Sequence, residues 1–169
     1  DGEWIVFENW TWDATNGHAE SGLYRIRSDG TDLAKIPGTL IDPDHKALSP
    51  DFLPSIAPEC GVLPVAEREP DCYRVAYVRR IDGLPPADTI WSVRGDGSEP
   101  GFLVTEVGIY NSMRVSPDGA RLAIGGEELV SGQFERGIYV FDLAVPGAVV
   151  QRLTPAERWS EYPVWSPDG

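Results

Sequence analysis

Two histidines, two cysteines and twenty-seven carboxylates are the side chains of this 169-residue chain whose types lend themselves to catalysis or metal binding. Nucleophilic hydrolysis needs a base set against a nucleophile. The imidazoles are His18 and His45, and neither accompanies a Gly-x-Ser-x-Gly elbow. Carboxylates working in pairs can transfer protons, yet no pair is set apart by spacing. Gly95-Asp96-Gly97 reads as a hairpin turn and not as a phosphate cradle. No catalytic residue is assigned. The stretch Ile41-Asp42-Pro43-Asp44-His45-Lys46 holds three metal-ligating types, Asp42, Asp44 and His45. Calcium is the ion such carboxylates suit, although Asp-Pro-Asp between apolar runs is equally a plain turn. No other cofactor is expected. Cys60 and Cys72 suggest one disulfide and an extracytoplasmic address, the alternative being two unrelated buried thiols. Zinc is disfavoured, because no second Cys or His pair lies nearby.

The net charge of −13 repels phosphate backbones, so nucleic acid is not an expected partner. It leaves room for cationic partners, though an acidic surface also serves solubility alone. The 41% apolar fraction and six tryptophans argue against a disordered tail. No run approaches the ~20 apolar residues of a membrane span. Without a signal peptide or initiator methionine, the chain reads as a mature or excised piece.

The elements that must position these residues repeat. Ser-Pro-Asp-Gly occurs at Ser116 to Gly119 and Ser166 to Gly169, Ser-Pro-Asp without its glycine at Ser49 to Asp51, and Asp-Gly at Asp1-Gly2. A turn recurring about every fifty residues indicates a solenoid or propeller. Each turn leads to a β-forming run: Trp4 to Glu8, Arg74 to Val78, Arg121 to Ile124. A second run follows with an aliphatic–aromatic start, at Leu23-Tyr24, Ile90-Trp91 and Ile138-Tyr139. Glycine turns then lead to last strands ending at Ile36, Thr105 and Thr154, and weaker runs precede each Ser-Pro-Asp. No segment shows an apolar face at helical period, and Pro155 to Trp159 is a turn at most. Four short antiparallel strands per repeat make a propeller blade, so the expected class is all-β.

Tyr162-Pro-Val-Trp-Ser-Pro-Asp-Gly169, Arg121-Leu-Ala-Ile124, Ile138-Tyr-Val-Phe141 and Gln151-Arg-Leu-Thr154 together resemble the TolB-type propeller repeat, a relative of WD repeats. The resemblance implies a six-bladed β-propeller of four-stranded antiparallel blades. This chain would hold about three blades' worth: unit one 1–40, unit two 41–106 with an insert at 52–73, unit three 107–156, and the inner strand of a further blade at 157–169. Its motif serines and aspartates, Ser116, Asp118, Ser166 and Asp168, read as turn-makers. Three blades cannot close a ring, so the rest is expected from the same parent polypeptide or from a second copy, and no stable monomer is expected.

Counting back from each Ser-Pro-Asp aligns Asp44 and His45 with Asn111 and Ser112, and with Glu161 and Tyr162. In a propeller these precede the innermost strand and would rim one mouth of the channel, a polar ring suited to a ligand or a partner's tail. Trp10 and Trp12, which follow the second strand of the first unit and lead into a loop with His18, are further contact candidates, although blade packing suits them better. The resemblance implies a non-catalytic module binding a protein or peptide. The alternatives are the accessory propeller of a prolyl-oligopeptidase-like hydrolase, its catalytic domain elsewhere, and a structural subunit of a surface assembly.

Overall fold

A computed structural model describes residues 3–12, 19–39, 45–56, 60, 63, 67–81, 87–104, 109–130, 133–144, 151–155 and 157–169. They form three antiparallel meanders and no α-helix. The first sheet has β1 (Trp4–Trp12), β2 (Ala19–Arg27) and β3 (Ala34–Lys35). The second has β4 (His45–Ile56), β5 (Tyr73–Ile81), β6 (Ala87–Arg94) and β7 (Gly101–Val104). The third has β8 (Ile109–Val115), β9 (Arg121–Val130), β10 (Gln133–Asp142) and β11 (Gln151–Arg152). Each sheet pairs in chain order, β1-β2-β3, β4 to β7 and β8 to β11, as propeller blades do. Among the described residues no helix is long and apolar enough to cross a membrane.

Local chemistry sets these meanders. At Ser116 to Gly119 the Gly119 N–H donates to Ser116 O at 2.8 Å and Gly119 adopts φ +72°. The Asp118 carboxylate accepts from the Ser116 hydroxyl at 2.5 Å and from the Ala120 N–H at 3.0 Å. The same turn recurs at Ser166 to Gly169, with Gly169 N–H on Ser166 O at 3.0 Å. Asp29-Gly30 and Asp96-Gly97 close the next hairpins, their glycines at φ +88° and +90°. The turn expected at Val145 to Ala148 lies outside the described residues.

The hydroxyl of Ser116 holds the Asp118 carboxyl below the usual carboxylate range, with the Ala120 N–H adding to it. A depressed carboxyl supports the fold fully above its unfolded value, about 3.9, and the support is lost as pH falls through the folded one. Asp118→Asn is therefore expected to lower stability near neutrality and to flatten the acid limb below pH ~4, as read by thermal melts across pH.

The core lies in two seams between blades. Leu23 and Ile36 of blade one meet Ala47, Val75, Tyr77 and Val93 of blade two. Leu48, Ala76, Val78 and Ile90 of blade two meet Met113, Val115, Leu122, Ile124, Tyr139 and Phe141 of blade three. Strand alternation turns Val75 and Tyr77 of blade two toward blade one and Ala76 and Val78 toward blade three, so each face is buried by stacking on a neighbour.

The structure departs from the sequence reading at three places. Ser49-Pro50-Asp51 does not turn the chain. Without the glycine it becomes an irregularity inside β4, with Ser49 at φ +48° and a register shift between Leu48 and Asp51. The strand continues through Phe52 and Leu53 to Ile56, so an insert starting at Phe52 begins too early. Asp51 is freed from turn duty: its carboxylate accepts the Val115 N–H of blade three at 2.8 Å, and burial pushes its pKa up. Finally, residues 160–165 form no ladder, because an inner strand pairs only with the second strand of its own blade.

Candidate functional site

The sheet registers put the turns at Ser116 to Gly119, Asp29-Gly30 and Asp96-Gly97 at one end of their blades. His45, Ile81, Ala87 and Ile109 fall at the other. Of the expected rim, Asp44 lies outside the described residues, as do the metal candidate Asp42 and His18. His45 opens β4 opposite Ile81, and Asn111 sits at a register shift between Tyr110 and Ser112. The side chains of His45 and Asn111, and those of Trp10 and Trp12, also lie outside what is described.

The structure brings Ser112, Glu161 and Tyr162 together. Ser112 is buried, and its Oγ accepts the Tyr162 N–H at 3.1 Å. Its hydroxyl is thus a clasp for the 157–169 segment, not an open rim group. Glu161 accepts from Arg136 Nη1 at 2.9 Å, and Arg136 also pairs with Glu127 at 2.5 Å. The same guanidinium covers the Trp159 ring, 4.5 Å from its centroid. Further along, Trp165 Nε1 donates to Arg114 O at 2.9 Å while Arg121 lies over its ring. Glu161, Pro163 and Trp165 are half-buried, whereas Tyr162 and Val164 are exposed, the alternation of a strand. Tyr162 is 72% exposed at φ +55°, and Trp159 is 75% exposed.

Gly125 makes this approach possible, and no sequence signal singled it out beyond its place in Gly125-Gly126. A Cβ there would stand 2.6 Å from Ser112 Oγ and 3.2 Å from both Glu161 Cα and Tyr162 N. Gly125→Ala is expected to push the 157–169 segment off blade three while the β8–β9 ladder stays formed. Hydrogen exchange should rise in 157–169 and hold steady in β9; equal protection of the segment in both proteins would refute the contact.

Among the described residues, Cys60, Asp71 and Cys72 bring three potential metal ligands within 4.8 Å of one another. The two sulfurs, however, are joined to each other as the disulfide expected from the sequence. They are not thiolates able to bind an ion.

No protein-family model matches the chain, and no curated protein matches it in sequence. Two solved structures share its architecture. Oligogalacturonate lyase in complex with manganese aligns over 90% of this chain and 33% of its own, with TM-score 0.54 and 17% identity. TolB from Acinetobacter baumannii aligns over 92% of this chain and 30% of its own, with TM-score 0.53 and 17% identity. The chain spans about a third of the length of each. One of the two is a lyase and the other is not named as an enzyme, and likeness at this identity speaks for fold alone. By its sheets and by both neighbours, this chain has a β-propeller fold with about three blades' worth of strands.

Proposed function

We propose that the chain is a non-catalytic propeller module that binds a protein or peptide partner outside the cytoplasm. It does so at the mouth where β4 and β8 begin. The observation that carries this reading is the pair of exposed aromatics, Trp159 and Tyr162, each fixed from behind. Arg136 backs the Trp159 ring, and the bond to Ser112 holds Tyr162 in a left-handed backbone that a non-glycine residue adopts at a cost. Rigid exposed aromatics lose little entropy on contact and are what interface hot spots use. By repeat phase Asp44, His45 and Asn111 complete the rim with Ser112, Glu161 and Tyr162. The net charge of −13 favours a cationic partner by steering its approach. The disulfide supports the extracytoplasmic address. No cofactor is proposed; Asp42, Asp44 and His45 would ligate calcium, and calorimetric titration with calcium tests that.

The remaining blades would come from the same parent polypeptide or from a second copy. Both halves of such a joint carry exposed apolar groups, Val164 at 80% and Ile5 at 49%. In blade three Val115 pairs with Leu122 and Arg114 with Ala123. By motif phase a strand like β1 would set Ile5 against Trp165 and Val6 against Val164. Light scattering that gave a folded 18.5 kDa monomer would remove the need for another arc.

The binding reading is tested by selecting displayed peptides on the purified chain, then repeating binding with Trp159→Ala/Tyr162→Ala and with Leu33→Ala. Leu33 is also exposed, at 60%, but belongs to the turn end. Loss with the aromatic pair alone supports the mouth. Loss with Leu33→Ala alone, or no enrichment, overturns it. Depolymerisation of oligogalacturonate by the chain would overturn the non-catalytic part.

A further inference from the structure

The insert between β4 and β5 reaches beyond its own blade. Cys60 and Cys72 are buried in one cluster with Tyr73 and with Trp4, which belongs to β1 of blade one. The Trp4 indole N–H donates to Arg68 O in the insert at 3.2 Å. Arg27 of blade one lies over the Trp4 ring at 4.4 Å, and its guanidinium is 3.8 Å from the Glu69 carboxylate. Residues 68–72 therefore lie as a strap across the seam, closed at its base by the sulfur–sulfur bond. Under it is a narrow apolar pocket lined from blade one by Trp4, Val6 and Arg25 and from blade two by Phe52 and Tyr73.

Blade one depends on that seam. Among the described residues it has three strands, with β1 paired to β2. The strap meets blade one through the buried cluster and the indole hydrogen bond, whereas the Arg27–Glu69 pair adds little, because Glu69 is 68% exposed. The covalent closure removes alternative conformations of the eleven residues between the cysteines and so favours these contacts with Trp4.

We propose that the Cys60–Cys72 disulfide is a redox-sensitive clasp that latches blade one onto blade two. A dithiol unlatches it: one thiolate attacks a protein sulfur to form a mixed disulfide, and its second thiol displaces that bond. The reductant leaves as a disulfide, and two electrons and two protons remain on Cys60 and Cys72 as thiols. Burial of both sulfurs makes the first attack slow, so the latch responds to sustained reducing conditions.

Hydrogen exchange with mass spectrometry on the whole chain, before and after dithiothreitol under native conditions, reads the outcome by blade. Exchange in β1 and β2 is expected to rise about tenfold or more, with β8, β9 and β10 unchanged. Cys60→Ser/Cys72→Ser should reproduce this pattern without reductant. If that variant does not fold, reduced wild-type protein carries the test. A rise confined to the insert would mean that the bond pins only its own loop. A uniform rise over all three blades would mean general destabilisation. Either result overturns the clasp.

Discussion

Phe141→Ala is expected to cost about 3–5 kcal/mol and to lower the melting temperature by on the order of 10 °C. Phe141 is 1% exposed and is the largest of the fully buried side chains. It sits on β10 and packs in the seam that joins blade three to Leu48, Val78 and Ile90 of blade two. Truncation loses the transfer energy of the ring and leaves a cavity that two rigid sheets cannot collapse around. Since the seam is the core, the loss should appear as weaker blade-to-blade cohesion, with denaturant midpoints falling and the slope retained. Leu153→Ala, at a side chain 55% exposed on the outer edge, should shift the midpoint little and serves as the control. Equal effects from the two changes would refute the placement of the core.

Asp88→Ala is expected to cost about 3–5 kcal/mol, for a different reason. Its carboxylate is fully buried and bonds Arg80 twice, at 2.9 Å to Nε and 2.8 Å to Nη2. The two residues face each other across β5 and β6, next to the mouth end of the hairpin. Removing the carboxylate takes a doubly bonded counter-charge from a guanidinium that is only 20% exposed, and the penalty is that lost compensation, not the pair's net worth. Arg80→Met/Asp88→Leu should therefore recover most of the loss in a double-mutant cycle. A double variant as unstable as Asp88→Ala would show that the pair itself, through its geometry, holds the hairpin.

The parts of this fold legible in the sequence are those set by short-range chemistry. Ser116-Pro117-Asp118-Gly119 states its turn in four consecutive residues, and Ile138-Tyr139-Val140-Phe141 states its strand in four more. Their phase then orders the blades. What stayed hidden is carried by partners far apart in the chain. Asp51 reads as one more turn residue, yet it accepts an N–H sixty-four positions away. Trp4 reads as a strand residue, yet its indole is held by Arg68. Gly125 matters for what leans against it, and nothing at its own position says so. Repeat phase aligns Ser112 with Tyr162 as equivalent positions, but it could not reveal that the Ser112 hydroxyl accepts the Tyr162 N–H. The cysteine pairing was readable because the sequence offers one partner for each sulfur.

The unbroken passage of β4 through Ser49-Pro50-Asp51 has a consequence for stoichiometry. A ring of like repeats offers a visitor several equivalent docking orientations, and occupancy is then shared among them. β4 runs for twelve residues where β8 runs for seven, and it takes up the extra length in two register shifts along its ladder with β5. One blade therefore differs from its neighbours along its inner strand and carries the disulfide-linked strap with it. The rotational degeneracy is broken, and a partner arriving on that face meets a single landmark. Such a partner should bind once per ring, in one azimuth, however many blades the ring contains.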